Sequence, residues 1–379
     1  MAEEILEGYK MRKKKYAVIG AGNGGLVIAG DIFLQGYEVS LYNRSEERIK
    51  YIKDHDYTIQ FGDKSDKIRL NYVGNNLSEA VYHSDVIIIV ITANGHSDIA
   101  EKIAPYLKDG QIILLVPGRT LGALLFSQTL NKVGCKANVI VAEATTLFFV
   151  ARPKRPDLIE IKGIKKEVSV SALCSRDTDY VINVLSEVFH NIIKADTFLD
   201  TSFSNIGAIF HPVISILNKE RILKKEIFNF YTDGVTKKVA QYIEKVDFEF
   251  KSIAAAIGIN KLSVVDWLNS RYGLPKTSVY EMIKSNPTYQ DILAPTTINH
   301  RYIWEDIPTG LVPMSSFGKT LGIPTPTIDY FIEEGSKLLD TDFRSEGRTL
   351  CKLGLSTDNL ISDLWDMTIS GEKSYKLNQ

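Results

Sequence analysis

The hexapeptide Gly20-Ala21-Gly22-Asn23-Gly24-Gly25 spaces its glycines as a phosphate-binding turn does. In such a turn the first glycine makes the tight bend, the second lets backbone approach a pyrophosphate, and the third lets a helix pack on the preceding strand. Free N–H groups at the start of that helix then favour an anion. Gly20, Gly22, Asn23, Gly24 and Gly25 are therefore expected dinucleotide contacts. A second chemical stretch is Leu41-Tyr42-Asn43-Arg44-Ser45. An NAD site places an Asp or Glu here for the ribose diol, and this chain has none. Asn43, Arg44 and Ser45 instead offer neutral donors and a cation suited to a 2′-phosphate, which favours NADP (NADPH) over NAD (NADH). The plain alternative is that Arg44 pairs with Glu46 or Glu47 at a helix start.

Two later turns, Thr92-Ala93-Asn94-Gly95-His96 and Pro117-Gly118-Arg119-Thr120, follow apolar runs and are expected to face the cofactor. Ala93 is assigned to the cofactor and His96 to the nicotinamide half or the substrate, with a helix-capping or solvent-facing histidine as the alternative. Glu143 points into the same crevice or caps Thr145 or Thr146. Further along, Ser204, Gly207, His211, Ser215 and Asn218 form a stripe of small or polar residues opposite the apolar face Ile206, Ile209, Phe210, Val213 and Leu217. His211 then faces a cleft. Pro212 cannot donate to the carbonyl of Ala208, which predicts a kink; read plainly, a His-Pro pair is only a helix irregularity.

The elements that must position these residues change character along the chain. Tyr16 to Gly20, Glu38 to Tyr42, Val86 to Thr92, Gln111 to Val116 and Asn138 to Ala142 read as strands alternating with helical stretches. That alternation predicts an α/β, parallel-stranded Rossmann dinucleotide-binding domain. The stretch from Asp157 to Val170 reads as a hairpin appended to that sheet. Beyond about Thr178 the period becomes helical, as in Asp179 to Phe189, Thr201 to Lys225 and Asp233 to Ile257. The expected division is an N-terminal extension over 1–14, the Rossmann domain over 15–195 and a mostly α-helical C-terminal domain over 196–379. Five prolines between Pro295 and Pro326 predict mostly loop there.

The segment Asn299-His300-Arg301-Tyr302-Ile303-Trp304-Glu305-Asp306-Ile307-Pro308-Thr309-Gly310-Leu311-Val312-Pro313 closely resembles the Arg-Tyr…Glu-Asp-Ile/Val-Pro-x-Gly-Leu-Val-Pro signature of the opine dehydrogenases, the octopine and nopaline dehydrogenase family. The glycine turn, Pro117-Gly118-Arg119 with Gly122-Ala123-Leu124, Glu143-Ala144-Thr145-Thr146, Asn205…His211-Pro212 and Leu321-Gly322-Ile323-Pro324-Thr325-Pro326 resemble it too. The resemblance implies an enzyme that condenses the amino group of an amino acid with a 2-oxo acid such as pyruvate and reduces the imine. It further implies His211 as acid/base, Asp306 as the carboxylate that orients and charges it, and Arg301 as the guanidinium holding a substrate carboxylate. Asn205, Glu143 and His96 complete the expected substrate side. An imidazole with a pKa near 6.5 passes protons both ways at neutral pH, and a planar guanidinium fork suits a carboxylate. Between Glu305 and Asp306 the family pattern alone selects Asp306. The strand-two end departs from the family's usual NADH type, and Met1 to Lys15 is unmatched, with Met11 an alternative start.

Composition narrows the classes. Lys+Arg 45 against Asp+Glu 46 leaves a net charge of -1, which gives no electrostatic reason to expect nucleic acid. The longest apolar run, Val86 to Ile91, is far short of the about 18 residues that span a bilayer, and the N-terminus lacks an apolar signal core, so a cytoplasmic protein is expected. Cys135, Cys174 and Cys351 have no metal-ligand spacing, and no metal is expected. A homodimer is compatible with the sequence. Two rivals stand beside the main reading. One is a ketopantoate-reductase-like or glycerol-3-phosphate-dehydrogenase-like NADP-dependent ketone reductase, for which Lys219, Lys224 and Lys225 read poorly as a catalytic lysine. The other is a non-catalytic NADP-binding scaffold or sensor.

Overall fold

The computed structural model describes residues 12–155, 157–355 and 358–370. Most of the expected extension, Met11 included, lies outside the described residues. Arg12 reaches Asp85 and Lys13 the carbonyl of Gly36, so the residues just before the β-strand Lys15–Ile19 are tied to the sheet.

Strand β1 (Lys15–Ile19) lies between β2 (Glu38–Tyr42) and β6 (Val86–Ile89), all parallel. Outward from β2 comes β5 (Tyr72–Gly74), and outward from β6 come β7 (Ile112–Leu115) and β8 (Ile140–Ala144), again parallel. β11 (Val168–Ala172) joins β8 antiparallel and pairs with β12 (Ile192–Lys194) to close an eight-stranded sheet. The strand order reverses at β1, so the turns after β1 and β6 diverge and open a crevice there.

Aliphatic residues fill both faces of β1, β6 and β7 because both faces are covered. Tyr16, Val18, Val86, Ile88, Ile112 and Leu114 turn to one core. Ala17, Ile19, Ile87, Ile89, Ile113 and Leu115 turn to the other, which runs without a break into the helical half through Phe198, Ile209, Phe210 and Leu311. One face of the Rossmann sheet therefore seats the second domain.

The expected hairpin is built differently. β10 (Leu158–Ile164) pairs with β9 (Phe149–Arg155), upstream of the stretch read as strand, and with β3 (Tyr57–Phe61). With β4 (Lys64–Ile68) these form a separate four-stranded sheet. It covers the outer side of the Asn23–Leu34 helix, where a Cβ on Gly30 would meet Ile59 Cδ1 at 2.2 Å.

In the helical half, the predicted helix over Thr201 to Lys225 is three: Phe198–Phe203, Ile206–Leu217 and Lys219–Leu223. The first break falls at Asn205, whose side chain is bonded to Arg119 and Thr120. The Ile206–Leu217 helix runs on through Pro212. The proline-rich segment is mostly helical, contrary to the loop expected. Pro308 opens a π turn over Ile307–Leu311, Pro313 stands in the first turn of Val312–Leu321, and Pro326 begins Pro326–Leu339. Only Pro326 opens a helix from a non-helical residue, where a missing N–H costs little; Pro308 and Pro313 fall where the continuous helical backbone passes into the π turn and out of it again.

Gly310 lets the π turn press on the Ile206–Leu217 helix, since a Cβ there would stand 2.3 Å from Ala208 Cβ. Gly310→Ala should destabilise the protein by about 1–3 kcal/mol, as overpacking does. Urea unfolding checks this; an unchanged midpoint would contradict the close approach.

Candidate active site

The nucleotide end is built from glycine positions no other residue can take. Gly20 has φ +116°, and its Cβ would stand 2.3 Å from the carbonyl oxygen of Val90. A Cβ on Gly25 would meet the Gly20 carbonyl oxygen at 1.8 Å. Gly22 differs: its Cβ would meet nothing within 4 Å, so the loop is open on the side a pyrophosphate would use. Gly22 also caps the Asn23–Leu34 helix with no side-chain hydrogen bond, leaving its first N–H groups for an anion. Leu147 lies over Gly24. These features fit a dinucleotide.

At the end of β2, Asn43 shapes the glycine turn. Its Oδ1 accepts from the Ala21 N–H at 3.0 Å while its Nδ2 donates to the Ser45 carbonyl. Arg48, which the sequence did not single out, donates from Nε to the Ala21 carbonyl. Arg44 and Ser45 are exposed, and Arg44 makes no ion pair with Glu46 or Glu47.

Three expected contacts need correction, for a common reason. Ala93 donates its N–H to Glu305 Oε1 at 3.2 Å and accepts from Arg348 Nη2 at 2.7 Å, so its N–H and one carbonyl lone pair are engaged within the protein. His96 is fully buried against Arg348, whose Nη2 lies 3.1 Å from Nδ1. Burial, then the guanidinium charges of Arg348 and Arg119, push its pKa well below 6.5, so it is a neutral histidine buried in the protein rather than an exposed one. Glu143 is also buried, accepting from the hydroxyls of Thr201 and Ser202 and from the Ala123 N–H. Burial raises its pKa despite those donors. Gly118 is glycine because its Cβ would stand 2.4 Å from Glu143 Oε2. All three residues serve the scaffold. Arg348 links their loops by also donating to the carbonyls of Gly118 and Thr120.

The chemical centre lies where the two halves meet. His211 Nδ1 is 2.7 Å from Asp306 Oδ2, and Asp306 is fully buried. The other ring nitrogen, Nε2, is 3.1 Å from the Tyr231 hydroxyl. Tyr302 stacks on the imidazole at 4.1 Å between centroids. Arg119, held at φ +63° beyond β7, brings its guanidinium to Glu305 Oε1 at 3.3 Å, to Asn205 Oδ1 at 3.2 Å and within 3.7 Å of Asp306 Oδ1. Gly207 makes room for this convergence. A Cβ there would meet Arg119 Nη1 at 2.9 Å, Asp306 Oδ1 at 3.1 Å and His211 Cε1 at 3.3 Å.

Arg301 does not join His211 directly. It pairs with Glu305 Oε2 at 2.7 Å, one helical turn on, and its side chain stays 43% exposed. Burial alone would raise the Glu305 pKa, but the charges of Arg119 and Arg301 and the Ala93 N–H prevail and hold it at about 2. Lys165 donates to the Thr146 hydroxyl at 2.6 Å, next to the residue covering the glycine loop. Burial, then Arg271 and Arg119, lower its pKa to about 8. Arg348, Tyr231 and Lys165 carried no sequence signal. Arg119 did, as the only charged residue of its turn. Among the described residues no cluster of three His, Cys, Asp or Glu is placed to hold a metal, and no helix is long and apolar enough to cross a membrane.

Comparison with known proteins agrees with both halves. Residues 194–339 match the family described as NAD/NADP octopine/nopaline dehydrogenase, alpha-helical domain, and residues 16–118 match ketopantoate reductase PanE/ApbA. An opine dehydrogenase of Arthrobacter sp. (strain 1C) is 37% identical over 347 residues, 91% of this chain and 96% of that one. The structure of octopine dehydrogenase with NADH and L-arginine superposes with a TM-score of 0.78 at 20% identity, covering 96% of this chain and 99% of that one. Yersinopine dehydrogenase with NADP+ bound gives a TM-score of 0.71 at 16% identity, over 94% and 99%. At such identities the two structures speak for the fold.

The Glu305 pair has a pH signature. Its folded pKa of about 2 lies below the 4.5 of a free glutamate, so the unfolded chain binds more protons between those values. The stabilisation is complete above pH 4.5 and is lost as pH falls towards 2. Glu305→Gln should lower the melting temperature at pH 7, and the gap to wild type should narrow below about pH 4.5. Parallel melting curves at every pH would contradict the assignment.

Proposed function

The chain belongs to the opine dehydrogenase family and is an NAD(P)-dependent oxidoreductase acting on CH–NH bonds, and from that premise we propose a reductive condensation of an amino acid with a 2-oxo acid. Residues 15–195 hold the dinucleotide, residues 196–379 carry the substrate side, and the protein works in the cytoplasm. His211 is the acid/base. It takes a proton from the substrate ammonium and returns one to the hydroxyl of the carbinolamine formed when nitrogen attacks the 2-oxo carbon. The C–N bond forms, the C–O bond breaks and oxygen leaves as water. The bound nicotinamide supplies the hydride that reduces the resulting C=N carbon.

The observation that carries this reading is the 2.7 Å bond from a partly open imidazole to a fully buried carboxylate. Asp306 fixes the ring's tautomer and orientation, as an orienting carboxylate does in other proton-transfer pairs. Two carboxylate-bearing substrates need cations near them. Arg301 keeps much of its guanidinium exposed while paired, and Lys165 has other cations, not carboxylates, as its electrostatic neighbours. The ketone-reductase rival keeps the match to residues 16–118 in its favour, but the helical half matches the octopine/nopaline type.

For the cofactor we favour NADPH. Arg44 and Ser45 are exposed where the ribose would lie, and no carboxylate ends β2.

A matrix of amino acids against pyruvate, glyoxylate and 2-oxoglutarate, with NADPH and NADH absorbance followed separately, tests the reaction. Turnover should require both substrates; a 2-oxo acid alone giving the full rate would favour the ketone reductase. His211→Asn should lower kcat by about 10²- to 10⁴-fold with coenzyme binding intact. Arg44→Ala should raise KM for NADPH roughly 10- to 100-fold, the weight of a charge-assisted hydrogen bond, and leave NADH within about twofold. Equal effects on both coenzymes would remove the 2′-phosphate assignment.

A further inference from the structure

Asp306 accepts at Nδ1 of His211, so the nitrogen left to exchange protons with a substrate is Nε2. That nitrogen faces the Tyr231 hydroxyl at 3.1 Å. Neither ring is free to turn aside. The imidazole is bonded to Asp306 and stacked on Tyr302 at 4.1 Å. Tyr231 stacks on Tyr289 at 4.2 Å with the planes 13° apart, and Phe230 and Phe210 meet its ring at near right angles. A substrate therefore finds the working lone pair of His211 covered by a phenol that packing holds in place.

We propose that Tyr231 is the proton relay of the site, carrying protons between His211 Nε2 and the substrate. The proposal rests on the condensation reading and deepens it. As the carbinolamine C–O bond breaks, the Tyr231 O–H gives its proton to the departing oxygen, which leaves as water. In the same motion the phenol oxygen takes the Nε2 proton of the imidazolium, and the ring returns to neutral beside Asp306. The earlier proton from the substrate ammonium reaches His211 by the reverse path. No electrons change hands in either transfer. Burial, helped by Tyr302, Tyr272 and Asp306, pushes the Tyr231 pKa well above 10, although Arg119 opposes this. The phenol therefore stays protonated, and it passes a proton only by taking one.

Tyr231→Phe keeps the ring and its stacking and removes only the hydroxyl. We expect kcat for the amino acid and 2-oxo acid pair to fall about 100-fold or more, the scale of positioned proton transfer. KM for the coenzyme and the melting temperature should barely move. The solvent deuterium isotope effect on kcat should change, because one proton in flight is lost. A kcat within about twofold of wild type would overturn the relay and leave His211 serving the substrate directly. A substrate-free readout separates this from failure of the condensation reading. In ¹⁵N NMR of labelled histidine, the His211 Nε2 resonance should move in Tyr231→Phe as its bonding partner is lost. An unmoved resonance overturns the proposal even if no substrate pair has been found.

Discussion

Two adjacent carboxylates, Glu305 and Asp306, are removed from water together, and the architecture of the site answers that cost. An isolated buried carboxylate would sooner protonate than stay charged. Here Arg119 comes from the nucleotide half, Arg301 from one turn upstream, the Ala93 N–H from the turn after β6, and His211 from the facing helix. No single segment neutralises the pair. The charges balance only with both halves in place, because Arg119 and the Ala93 N–H come from the nucleotide half while Arg301, Asp306 and His211 come from the helical half. The π turn starting at Ile307 follows the pair directly, and Thr309 bonds back to the Glu305 carbonyl. Such irregular turns often mark places where a helix aims particular side chains at a site.

A second tie surrounds the first. Arg348 gathers carbonyls from the turns after β6 and β7, and its own N–H donates to the carbonyl of Pro308 at the π turn. Glu143 fixes the start of the Gly122–Lys132 helix and reaches Thr201 and Ser202 in the helical half. Buried polar networks of this kind are stable only when nearly every member is satisfied. Asp306 Oδ1, Arg348 Nε and His96 Nε2 are exceptions without a hydrogen-bond partner, and Asp306 Oδ1 stands 3.7 Å from Arg119.

What the sequence disclosed follows from which forces act locally. The parallel strands were legible because aliphatic runs such as Val86–Ile89 must be buried on both faces. The small sheet was not, since Lys64–Ile68 is polar and exposed for most of its length and gains strand form only by pairing with Tyr57–Phe61. The prolines from Pro295 to Pro326 suggested loop because proline breaks helix interiors, whereas Pro308 and Pro313 fall at the ends of a π turn in the helical backbone and Pro326 opens a helix. The His211–Asp306 pairing came from resemblance, as no local spacing joins residues 95 apart. Turn position was readable for His96, Ala93 and Glu143, but side-chain fate was not. It depends on Arg348, about 250 residues away from two of them and unremarkable in its own neighbourhood.

The two ends of the site are held in different ways, and that difference bears on how the enzyme can vary. At the chemical end Glu305 and Arg119 each have several partners, most from distant segments, so changing one member leaves another buried and unpaired. Effects there should be large and strongly non-additive. At the ribose end Arg44 and Ser45 stand in solvent, without partners that would be stranded by their replacement. Asn43 and Arg48 meanwhile hold the Ala21 backbone whichever nucleotide is bound. The exposed donors at the end of β2 thus stand on an independently fixed turn. They can change without disturbing the buried His211–Asp306 pair.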